Sequence, residues 1–153
     1  MPVSEVFVDE SRRYLTGEYL PAIRKAIEPL TDEDLWWRPN DGSNSIGNLV
    51  LHLTGNVRQW IVSGLGGAPD TRLRQTEFDA RGGPTRQELL DGLAAVIAEA
   101  DRVLAALPVS ALLETRTIQG KETGVLAAIY HVVEHFSGHV GQILWVSKMR
   151  RGV

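Results

Sequence analysis

Cysteine is absent from all 153 residues. That excludes disulfides, thiolate metal sites and a cysteine nucleophile, so any thiol chemistry needs a thiol carried in by a ligand. A basic surplus is missing too: 16 Lys and Arg stand against 19 Asp and Glu, a formal charge of -3. Such a chain has no excess cation to neutralise a phosphate backbone, so nucleic acid is not an expected partner. Residues 1–10 carry Glu5, Asp9 and Glu10 and no basic stretch leading into an apolar one, unlike a secretory leader. No run approaches the roughly 18 apolar residues that a membrane span needs. The expected setting is therefore cytoplasmic, with no membrane as partner. With 43% hydrophobic and 23% charged residues, the composition is that of a globular protein, and the length suits one domain over 1–153. Histidine is also scarce, with only 4 copies, but these are not scattered.

Strand patterns are hard to find, whereas helical periodicity recurs. Val6, Phe7, Tyr14, Leu15, Ile23 and Ile27 recur at helical spacings from Ser4 to about Leu30, with Pro21 expected to kink or split that helix. Thr31 and Asp34 form a capping box for a short turn carrying Leu35, Trp36 and Trp37. A second helix is expected over Ser45 to Ser63, with Ile46, Leu49, Val50, Leu53, Val57, Trp60 and Ile61 on one face. Gly64 to Pro84 is rich in glycine and proline and reads as a functional loop. Thr85 and Glu88 cap a third helix running to Pro108. Val109 to Thr123 is irregular, with Thr115 to Gln119 possible as an extended piece, and a last helix spans about Glu122 to Met149. Four long amphipathic helices make an all-α protein, a four-helix bundle with crossover loops. Leu51, Val62 and Trp145 lie off the apolar faces of their helices, which suggests a homodimer surface.

His52 falls on the second helix, and His131, His135 and His139 on the fourth. Four-residue spacing sets neighbours ~40° apart around a helix and ~6 Å along it, so the last three form one stripe whose adjacent members can grip an ion. With His131 at 0°, the apolar arc of the fourth helix centres near ~130°, which places His139 at ~80° and His135 at ~40°. His135 and His139 are thus the inward pair. His52 flanks the apolar face of its helix beside Asn48, Asn56 and Gln59. Three neutral imidazoles leave at least one position open, the pattern of a catalytic rather than a structural site. They suit Zn, Ni, Fe and Cu alike. A bound divalent ion acidifies a water or thiol ligand, and either would be the nucleophile.

His131-Val132-Val133-Glu134-His135 also fits H-x-x-E-H, the inverted zinc-peptidase pattern. Glu134 projects at ~300°, away from His139, so it reads as a solvated residue or one that orients an imidazole. Asn48 and Asn56, one turn either side of His52, are placed to hydrogen-bond a water on the ion. Trp36, Trp37, Trp60 and Trp145 read as core or interface aromatics rather than pocket walls. Arg58, Arg72 and Arg74 read as a solvated face, although they are suited to an anionic cosubstrate.

Ser45-Ile46-Gly47-Asn48-Leu49-Val50-Leu51-His52-Leu53, followed by Asn56, Arg58, Gln59 and Trp60, and the C-terminal H-x3-H-x3-H-x-G-Q ending in Gly141-Gln142, resemble the DinB-like (YfiT-like) superfamily. The resemblance extends over essentially the whole chain. It implies a four-helix bundle holding a divalent metal, Ni or Zn, on His52, His135 and His139, with His131 a neighbour in the pocket. It also implies a small-molecule substrate and, from characterised relatives, a thiol S-transferase using an external low-molecular-weight thiol of the bacillithiol or mycothiol type. A metal-dependent hydrolase is the other enzymatic reading. A non-enzymatic metal-binding stress-response or ligand-binding module is the alternative of a different class.

Overall fold

A computed structural model describes residues 1–153. The first long helix comprises α1 (Val3–Arg13), a π-helical segment (Tyr14–Tyr19) and α2 (Leu20–Ile27). Pro21 does not split it. Proline falls in the first turn of α2, directly after the widened turns, where its missing N–H costs little. A short α3 (Asp32–Trp36) follows behind the Thr31–Asp34 capping box. The second long helix is α4 (Ile46–Val57) continued by π-helical Arg58–Ser63. α6 (Arg86–Ala106) starts at the Thr85–Glu88 box, and α7 (Val125–Arg151) ends on Gly152 in the left-handed conformation at φ 70.

These four long helices bury a common core in which Ile23, Leu53, Ile61, Leu93, Ile129 and Phe136 are sealed from solvent. Each such side chain contributes about 1.5–3 kcal/mol relative to exposure. Tyr19 stacks on Phe136 at 5.5 Å, and Ser147 Oγ donates to the Ala26 carbonyl at 2.6 Å, fixing α7 against the first long helix. The fold is an all-α helical bundle, as the periodicity predicts, and no helix is long and apolar enough to cross a membrane.

Two connections differ from the expectation. The segment read as loop between the second and third helices contains α5 (Arg74–Asp79), and it packs on α4. The region before the last helix is a 3-10 turn (Val109–Leu113) and a β-hairpin of β1 (Thr115–Ile118) and β2 (Lys121–Gly124), so α7 starts at Val125 rather than Glu122. Gln119 and Gly120 at the tip both have positive φ, 54 and 72, which a two-residue turn of the primed type requires. The proposed dimer surface also changes: Val62 is in the core and Leu51 packs against it, leaving Trp145 exposed at 65%. The π-helical widening after Val57 shifts residues beyond it round the helix, which a constant 100° wheel does not register.

Candidate metal centre

α4 and α7 bring their histidines together across the bundle. His52 Nε2 and His135 Nε2 are 2.9 Å apart, and the ring centres of His52 and His135 lie 5.1 and 4.4 Å from that of His139. One ring nitrogen from each of the three lies within 4.8 Å of the others, so the trio can hold a metal ion. His131 stands beside the cluster. Its ring lies against Trp60 with centroids 4.2 Å apart and stacks on His135 at 5.3 Å.

A carboxylate that the sequence did not single out anchors this cluster. Glu77, on α5, accepts the Nδ1 proton of His52 at Oε2 over 2.8 Å and is itself buried. Arg72 closes on the same carboxylate through Nε at 2.7 Å and Nη2 at 2.9 Å, and its Nη1 donates to Gln59 Oε1 at 2.9 Å. Burial would push the Glu77 carboxyl up, but the hydrogen bonds and charges of Arg72 and His52 outweigh it and hold the group below its ordinary value. Arg72 is therefore no part of a solvated face: its side chain is 5% exposed and committed to an ion pair. With Nδ1–H given to Glu77, the Nε2 lone pair of His52 is aimed at His135.

Gly55 makes room for this pair. A Cβ built there would stand 2.1 Å from Glu77 Oε1 and 2.9 Å from Arg72 Nε. In an ordinary helix interior, glycine to alanine stabilises by about 1 kcal/mol. Here the sign should invert: Gly55→Ala must push Glu77 off His52 or separate it from Arg72. Urea denaturation of the metal-free variant should show a lowered midpoint, and an unchanged or raised midpoint would contradict the packing described.

His139 is oriented in the same way as His52, with Nδ1 donating to Gln142 Oε1 at 2.6 Å. The glutamine of the C-terminal motif thus has a physical role, since residue i+3 on the helix can reach the imidazole. Burial lowers the basicity of His139, opposed by its bond to Gln142. Burial, reinforced by the charges of His139, His52, His131 and Arg72, pushes His135 down to about 3. His131 is lowered as well, mainly by burial. Neutral imidazoles are the form that binds metal.

The other expected residues are placed differently. Asn48 is fully buried and already occupied: Oδ1 accepts from Ser45 N and Oγ and from Arg38, and Nδ2 donates to the carbonyls of Glu77 and Ala80. It caps α4 and holds down the end of α5, with no hydrogen left for a water on an ion. Glu134 is exposed and affects His131 and His139 only as a through-space charge that raises their basicity. Arg58 pairs with Glu99 at 2.9 Å on the surface. Asn56, by contrast, does border the cluster, with Nδ2 3.5 Å from His131 Nε2.

The donor set fits a divalent ion. Two imidazoles have their outer nitrogens satisfied by oxygen acceptors, which leaves the inner lone pairs free. The ring nitrogens of His52 and His135, 2.9 Å apart, are close enough for one ion to be bound by both with bonds of about 2.0–2.1 Å. A cleft of about 230 Å³ opens beside the cluster, with His52, His131, His135, Trp60 and Gln119 in its wall.

The crystal structure of a DinB-like protein from Bacillus cereus superposes with a TM-score of 0.68 at 19% identity, covering 88% of this chain and 86% of that one. That likeness concerns the fold. No functionally curated protein matches the sequence. The sequence profile of the DinB superfamily spans residues 20–143, from the start of α2 to the middle of α7. With most of the chain and all four histidines inside that span, the chain belongs to the DinB superfamily.

Proposed function

We propose that the protein is a metal-dependent enzyme acting on a small molecule, a thiol transferase or a hydrolase, in which His52, His135 and His139 hold Ni or Zn. The observation that carries this reading is the buried Glu77–His52 hydrogen bond. A carboxylate on the outer nitrogen fixes the tautomer and orientation of an imidazole and raises its strength as a ligand. Three protein ligands also leave room for a further one from solvent or substrate, as in catalytic rather than structural sites. A bound ion of this kind acts as a Lewis acid and lowers the pKa of a water or thiol ligand towards neutrality.

The remaining work falls to this chain's own side chains. Phe78 lies over His52 with ring centres 4.7 Å apart and shields one side of the cluster from water. His131, whose basicity burial lowers and which lies outside the three-histidine group, would be the side chain to take up the proton of a nucleophile at the site. With no cysteine in the chain, the thiol of a transferase reaction comes from the substrate or a cosubstrate.

The test uses protein purified without a histidine tag and loaded with Ni or Zn, assayed for thiol conjugation to a model electrophile and for ester and amide hydrolysis. Turnover should appear in one of these assays, vanish on chelation and return with the metal. Metal-replete protein inactive in all of them would instead favour the non-enzymatic binding module.

A further inference from the structure

Only three buried side-chain polar atoms lack a hydrogen-bond partner, and two of them, Asn56 Oδ1 and Trp60 Nε1, belong to residues in the wall of the cleft. Folded proteins leave few such atoms, because a polar group taken out of water without a partner is costly. Asn56 is 3% exposed and points its amide nitrogen at His131, so its oxygen remains as a free acceptor. Trp60, one helical turn further on, offers an indole N–H that donates to nothing. Arg74 lines the same cleft, lies over the Phe78 ring at 4.9 Å and is absent from every ion pair, whereas Arg72 is committed to Glu77. No acidic side chain lines the cleft. The residues of its wall therefore carry one unpaired acceptor and one unpaired donor, both on buried atoms, and one cation outside any ion pair.

We propose that the cleft takes a small carboxylate carrying an N–H group, of the N-acyl amino acid class, with the carboxylate on Arg74 and the Trp60 N–H, and the ligand N–H donating to Asn56 Oδ1. This rests on the cleft being the substrate site of the proposed enzyme, and it names the substrate class. The acceptor and the donor are both needed for selectivity, since a site whose buried polar groups are left unpaired rejects the analogue that fails to pair them.

Three probes of similar shape separate these contributions: N-acetylglycine, N-acetylglycinamide, which lacks the charge, and levulinate, which has CH2 in place of N–H. Titration calorimetry on zinc-loaded and on metal-free protein should show N-acetylglycine binding about tenfold more tightly than either analogue. Arg74→Gln, at an exposed end of α5, should erase the advantage over N-acetylglycinamide and keep the advantage over levulinate. Trp60→Phe should weaken both carboxylates alike. Equal affinities in the parent protein, no saturable binding of N-acetylglycine, or full discrimination retained in Arg74→Gln would overturn the proposal. Zinc content measured on the same samples keeps the two readings apart. Discrimination among the probes in a protein that takes up no zinc would uphold this inference while removing the metal-dependent enzyme, and a zinc-loaded protein without discrimination would do the reverse.

Discussion

His135→Ala is expected to abolish stoichiometric metal binding. Binding energies of closed four-ligand zinc sites divide to about 3 kcal/mol per ligand, so loss of one of three should weaken affinity by two to three orders of magnitude. Elemental analysis of tag-free protein after dialysis measures this directly, and metal retained at one equivalent would remove His135 from the ligand set. The same variant should cost the metal-free fold far less. His135 is held neutral, down to about 3, by burial and neighbouring positive charge, so its loss leaves no ion unpaired. A large fall in metal affinity with a small change in the metal-free denaturation midpoint is the expected signature.

Glu77→Ala should show the opposite balance. It leaves the Arg72 guanidinium, 5% exposed, without its carboxylate, and an orphaned buried charge costs about 3–5 kcal/mol. Metal affinity should also fall by about 10–100-fold, because His52 loses the group that orients it. The double variant Glu77→Ala, Arg72→Met separates the two effects. Removing the cation along with the anion should restore most of the stability and none of the metal affinity, read by urea denaturation and by competition with a chelator. If the double variant regains affinity as well, the carboxylate acts only on packing.

The histidine cluster was legible in the sequence because its logic is periodic. Residues four apart share a helix face, and the wheel separated His135 and His139 from His131 before any contact was known. The bundle was legible for the same reason, as were two of its capping boxes. What stayed hidden depends on contacts between distant segments. Glu77 and Arg72 lie five apart, a spacing that aligns on no helix face, in a stretch bounded on both sides by glycine and proline, and only the docking of α5 onto α4 brings them to His52. Asn48 misled because its position beside His52 suggested a role in the cluster, while its side chain forms a third capping box, with Ser45. The hairpin before α7 was half seen. β1 carries alternating residues, whereas Glu122 reads equally well as the first turn of a helix.

The pairing of His52 with His135 joins positions 83 residues apart in the chain. During synthesis His52 therefore emerges long before its partners, and α4 alone offers an ion a single imidazole. The complete proposed set exists only once α7 has docked against α4, so an ion bound by all three histidines would be held only from closure of the bundle onward. Its binding free energy would then add to the docking of those two helices, so metal affinity and closure of the bundle would be coupled through where the ligands fall along the chain.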